Sequence, residues 1–138
     1  MLSIDKIILH RLNMRMKHPF VTSFGTTQDK DFFIIEVIDQ DGHRGYGESV
    51  AFDAPWYTEE TVKTTLHMLT DFLIPLLKKH PIKHPRELAD IFKPIRRNHM
   101  AKAALEGAIW DLYAKREKLS LARALGGKKS FIDVGISI

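Results

Sequence analysis

Small and apolar residues recur at helical spacing along residues 100–127, MAKAALEGAIWDLYAKREKLSLARALGG. Ala101, Ala104, Leu105, Ala108 and Leu112 mark one face, and Met100, Ala103, Gly107, Trp110 and Ala114 add small or apolar positions elsewhere around the turn. A helix apolar over so much of its circumference expects close neighbours on more than one side. Ser120 is placed to cap a short helix that stops at Gly126 or Gly127. Upstream, Val62, Leu66, Leu69, Leu73 and Leu77 trace another helical stripe. Thr58 is its expected N-cap, Glu59 and Glu60 fall in its positively polarised first turn, and Pro75 is expected to bend or end it. Pro85 opens a shorter helix that turns Leu88, Ile91, Phe92 and Ile95 inward, and Pro94 limits its length.

The first third of the chain has the period of strands. Ile4, Ile8, Leu12, Met14 and Met16 share one parity, interrupted by Lys6 and His10, and predict a strand over residues 4–16. Pro19, Gly25 and a run of hydroxyl residues predict an irregular loop over 17–30, which nonetheless carries Phe20, Val21 and Phe24. The stretches DFFIIEVID and HRGYGESVA flank Asp41 and Gly42, the pair favoured in a two-residue turn that needs positive φ. Three antiparallel strands result, and Gly45 and Gly47 leave one face of the third bare for a close neighbour. A second loop, residues 49–60, carries Phe52, Trp56 and Tyr57. At the far end Ile132, Val134, Ile136 and Ile138 alternate with Phe131, Asp133, Gly135 and Ser137, so the sequence is expected to end inside a strand that begins another structural unit.

Composition narrows the function. Hydrophobic residues at 44% and charged ones at 28% describe a globular chain of one good core. The absence of cysteine removes disulfides and thiolate zinc sites, and the N-terminus lacks the pattern of a signal peptide, so a cytoplasmic address is expected, with no membrane partner. The net charge of +4 spreads 21 basic residues among 17 acidic ones, with only paired clusters at 78–79, 96–97 and 128–129. That distribution argues against a nucleic-acid partner.

Most catalytic constellations are missing. No phosphate-binding glycine loop, nucleophile elbow or His-Glu-x-x-His spacing occurs. His80 and His84 are separated by the helix-breaking Pro81, and Asp39, Asp41 and Gly42 are better explained by a hairpin turn than by a calcium loop. Glu48 reads as a structural acid, there being no partner acid or base in sight. What remains are the aromatics of the two loops, which can wall an apolar surface against something docked there.

HPFVTSFGT, GYGE, PWYTEET, MAKAALEGAIWDLYAK, LARALGG and VGISI, in that order and spacing, resemble the enolase superfamily, nearest the branch that contains o-succinylbenzoate synthase and N-acylamino acid racemase. The resemblance implies an α+β fold: a three-stranded antiparallel sheet followed by a helical bundle as capping domain over residues 1–127. A linker and the first strand of a (β/α)₈ barrel would then occupy 128–138. It implies that the two loops are specificity loops, with Phe24, Phe52 and Tyr57 on the substrate side, that Ser137 faces the substrate from the barrel strand, and that Glu48 and Glu106 are structural. The family removes the proton α to a carboxylate, using two lysines and a divalent metal, magnesium or manganese, held by three carboxylates. Those residues match nothing within these 138. No catalytic residue and no metal ligand is therefore expected here, and the chain alone is expected to be inactive. The expected partners are the barrel and a small carboxylate substrate; a homo-oligomer is left open. The implied parent reaction is dehydration to o-succinylbenzoate in menaquinone biosynthesis, with N-acylamino acid racemisation as the companion activity. The rivals are a dipeptide epimerase or muconate cycloisomerase and, from another class, a free-standing binding module.

Overall fold

The computed structural model describes residues 1–136. Three strands, β1 (Ile4–Thr22), β2 (Gly25–Asp39) and β3 (Arg44–Glu48), form one antiparallel sheet in the order β1-β2-β3. The helices follow: α1 (Val62–Met68), a π-helical turn Leu69–Leu73, α2 (Ile74–Lys78), a 3₁₀ turn Pro85–Glu87, α3 (Leu88–Ile91), α4 (His99–Arg116) and α5 (Leu121–Ala124). The core lies between the sheet and the helices. Phe33, Ile35 and Val37 of β2 meet Ala101, Ala104, Leu105, Ala108, Ile109 and Leu112 of α4, with Leu69, Leu73, Leu77 and Leu88 closing the far side. Each fully buried Leu or Ile contributes on the order of 1.5–3 kcal/mol relative to exposure.

The tightest contact is between β3 and α4. A Cβ on Gly45 would stand 2.1 Å from the Ala108 carbonyl oxygen, and one on Gly47 would stand 2.0 Å from that of Ala104. The expected close neighbour of the bare strand is therefore the central helix itself. Asp111 and Lys115, 2.7 Å apart on α4, then cover the free edge of β3. Asp111 accepts the Tyr46 N–H at 2.8 Å, and Lys115 donates to the Arg44 carbonyl at 3.1 Å. Edge groups that would otherwise template another strand are thus occupied.

Several expectations are corrected. The residues predicted as a loop over 17–30 continue the ladder on both sides of a two-residue turn, Ser23 and Phe24. The register slips between Arg15 and Phe20, and Pro19, which lacks a ladder donor, sits inside that irregularity. A second slip, between Ile4 and Lys6, changes the parity of β1, so that Ile4, Ile7 and Leu9 pack on the core while Leu12 and Met14 face solvent. The Asp41–Gly42 turn has three residues between Asp39 and His43, with Gly42 at φ +84. Such a loop places a glycine in the left-handed position after a type I turn. Thr61, not Thr58, caps α1, forming a reciprocal capping box with Thr64. Pro75 neither ends nor breaks the helical run: in the wide turn before it the Ile74 N–H reaches back to the Leu69 carbonyl.

Pro85 opens a 3₁₀ turn with His84 accepting the Arg86 N–H, and Ser120 caps α5 as expected, but both short helices end early: α3 stops at Ile91, before Ile95, and α5 at Ala124, before Gly126. Residues 131–136 have no ladder partner among the described residues and do not extend the sheet, whose β3 edge is already covered by α4. Ser137 and Ile138 lie outside the described residues. No helix among the described residues is long and apolar enough to cross a membrane.

Candidate functional site: an aromatic groove at the hairpin tip

The tip of the β1–β2 hairpin and the loop after β3 meet in a groove of about 690 Å³. Phe20 and Phe24 come from the first, and Phe52, Trp56 and Tyr57 from the second. Phe24 and Tyr57 are each 76% exposed and Trp56 69%. Thr22, Ser23, Thr26 and Thr27 add hydroxyl groups, and none of the described lining residues carries a charge. The tip is shaped by Thr22, whose Oγ1 donates to the Gly25 carbonyl at 3.1 Å and accepts the Phe24 N–H at 3.2 Å. Lower on the hairpin, the Arg11 guanidinium clasps Asp31, with Nη2 to Oδ2 at 2.5 Å, and holds its carboxyl below the usual carboxylate range. Such a surface can receive the uncharged, flat part of a small molecule; its described residues include no carboxylate, imidazole or amine.

Phe24, Phe52 and Tyr57, singled out in the sequence, share this groove. Ser137 lies outside the described residues. Glu48 pairs with Lys30 at 2.5 Å and is half-exposed, and Glu106 accepts the Trp110 indole N–H at 3.3 Å. Glu60 was placed by its spacing in the first turn of α1. Instead it is buried and accepts the N–H groups of Met100 and Ala101 at the start of α4. No local signal marks this role, because its partners lie 40 and 41 residues away.

Asp39, Asp41 and His43 bring three ligand atoms within 4.8 Å of one another at the β2–β3 turn. They do not fit a divalent ion. Asp39 Oδ1 accepts the N–H groups of Asp41 and His43 at 3.0 and 2.8 Å, and the Arg116 guanidinium stands 3.5 Å from Asp39 and 3.7 Å from Asp41. The charge a metal would supply is already provided by arginine and backbone. On the sheet's outer surface Glu36 is held below the usual carboxylate range, first by the His10 hydrogen bond and then by Arg44 and Tyr46.

The family described as "Mandelate racemase / muconate lactonizing enzyme, N-terminal domain" matches residues 4–126. An o-succinylbenzoate synthase of Geobacillus stearothermophilus is 60% identical over 99% of this chain and 36% of its own length. An N-succinylamino acid racemase of Thermus thermophilus is 33% identical over 98% of this chain, again 36% of its own length. Among solved structures, an enolase-superfamily member from Listeria innocua superposes with a TM-score of 0.93 at 43% identity, covering 100% of this chain and 37% of that one. The chain thus spans little more than a third of the length of these relatives. With its three-stranded sheet, its helices and this match, the chain belongs to the N-terminal capping domain family of the enolase superfamily.

Proposed function

We propose that the chain is the capping and specificity domain of an o-succinylbenzoate synthase, acting over the mouth of a (β/α)₈ barrel. The carrying observation is the uncharged aromatic groove, assembled from two separate loops and left open to solvent. A barrel presents its reactive ends at one face, where loops from another domain can exclude water and choose the substrate's non-reacting portion. The parent reaction is dehydration of 2-succinyl-6-hydroxy-2,4-cyclohexadiene-1-carboxylate in menaquinone biosynthesis, in the cytoplasm. The identity to the Geobacillus synthase supports this substrate over an N-acylamino acid, although racemisation remains the second reading because the Thermus relative is a racemase.

In this scheme the magnesium or manganese ion supplies positive charge to the reacting carboxylate, and its ligands belong to the barrel. The residues described here touch only the far side of the substrate. Phe24 and Tyr57 flank it, Phe52 floors the groove, and residues 128–138 lead into the first barrel strand, from which Ser137 faces the substrate. The test is kinetic. In the whole enzyme, Phe24→Ala or Tyr57→Ala raises KM or shifts preference between the cyclohexadiene and an N-succinylamino acid, with kcat the less affected. Unchanged kinetics in both variants removes the groove from the site. Turnover by the 138-residue chain alone would refute the capping role.

A further inference from the structure

The groove wall that carries Trp56 and Tyr57 has little internal structure. Within residues 53–59 one backbone hydrogen bond is formed, from the Trp56 N–H to the Ala54 carbonyl at 2.9 Å. The two aromatics are too exposed for packing to hold them. Their placement is therefore set at the ends of the loop.

At one end the Phe52 carbonyl accepts the Val62 N–H at 3.0 Å. At the other, Glu60, only 5% exposed, directs both carboxylate oxygens at α4: Oε1 accepts the Met100 N–H at 2.9 Å and Oε2 the Ala101 N–H at 3.0 Å. The helix needs these acceptors, for it has no acidic residue in its first turn and the Asn98 side chain makes no cap. Arg97 and Asn98 both take left-handed backbone conformations, φ +51 and +53, as the chain turns into α4. Lesser contacts follow the same line. Thr58 Oγ1 accepts the Glu60 N–H at 3.3 Å and lies 3.8 Å from Met100 Sδ, and Glu59 pairs with Arg97 at 3.6 Å. Since α4 is itself pressed onto β3 at Gly45 and Gly47, a continuous series of fixed contacts runs from the sheet through Glu60 to the loop.

We propose that Glu60 is the positioning residue of the groove: by holding the loop to the N-terminus of α4 it fixes the stance of Trp56 and Tyr57 toward a bound substrate. Its effect on substrate choice rests on the function proposed above; the mechanical link does not. In the 138-residue chain, Glu60→Ala is expected to speed amide hydrogen exchange about tenfold at Trp56, residue 60 and Val62, the hydrogen-bonded amides of the loop and its ends, while residues 33–37 of β2 keep their wild-type rates. Glu60→Gln, with one acceptor oxygen in place of two, falls between, and carries the test if Glu60→Ala does not fold. In the whole enzyme the same variants raise KM severalfold and change kcat less than about twofold. Faster exchange confined to residues 99–102, or spread evenly over the chain, overturns the positioning role and leaves Glu60 a helix cap alone. If the loop responds and KM does not, the link holds and the substrate-facing reading of the groove fails.

Discussion

The two ends of the β1–β2 hairpin use similar side chains for opposite purposes. At the base, Ile35 and Val37 have no exposed surface and lie against α4; at the tip, Phe20 and Phe24 stand in solvent beside Trp56 and Tyr57. Backbone pairing runs through both regions, so the difference lies in what faces them. The base has a helix against it, brought close by the bare glycines Gly45 and Gly47 of the neighbouring β3. The tip has only another loop. Apolar residues at the base hold the fold, whereas those at the tip are left available to a partner.

The largest effect should come from spoiling the base. Gly47→Ala forces a Cβ to within 2.0 Å of the Ala104 carbonyl oxygen, a backbone atom that cannot swing aside. Its expected cost is at least about 3 kcal/mol in urea unfolding, or no folded protein at all. Gly107→Ala, on the same interface, is the control. Its Cβ would meet nothing closer than the Gly47 Cα at 3.9 Å, so replacing a helix-interior glycine should stabilise the chain by about 0.5–1 kcal/mol. Equal behaviour of the two variants would mean that the helix does not depend on a bare strand.

Next in size is the sheet edge. Asp111→Ala removes the acceptor of the Tyr46 N–H and the partner of Lys115 together, and should lower stability by about 1 kcal/mol, less than the glycine clash because water can reach the freed groups. Glu36 gives a pH-dependent contribution of the same kind. Its pKa is depressed in the fold, so its stabilisation is complete above the unfolded carboxylate value and is lost as pH falls through the folded one. Glu36→Gln should therefore lower stability at neutral pH and flatten the acid limb of a urea-derived stability profile. An unaltered acid limb would show that the His10, Arg44 and Tyr46 contacts contribute nothing to folding.

The contrast also separates what could be read in the sequence from what could not. Helical spacing located α4, and Gly45 and Gly47 announced a close neighbour, because an apolar period and a missing side chain are written locally. The paired length of the hairpin was hidden, because Pro19 signals irregularity and only the partner strand reveals that the ladder resumes beyond it. The slip between Ile4 and Lys6 likewise turns Ile7 and Leu9 to the core, which no parity count over β1 alone detects. Phe24, Phe52 and Tyr57 were found as aromatics in loops and through family resemblance. Glu60 departs from its local signal because a carboxylate beside one helix start ordinarily serves that helix, whereas its partners belong to another.

The smallest effect on stability should come from the tip, and it bears most directly on the comparison. Phe24 and Tyr57 have about three-quarters of their surface in water, so truncation removes little buried area and leaves no enclosed cavity. Phe24→Ala and Tyr57→Ala should each shift the free energy of unfolding by no more than about 0.5 kcal/mol. A loss near that of a buried aromatic, about 3 kcal/mol, would make the groove an extension of the core and erase the distinction between base and tip. A stability change near zero combined with a raised KM in the whole enzyme is the result that a substrate-facing wall requires: side chains whose apolar surface is buried only when something docks against it.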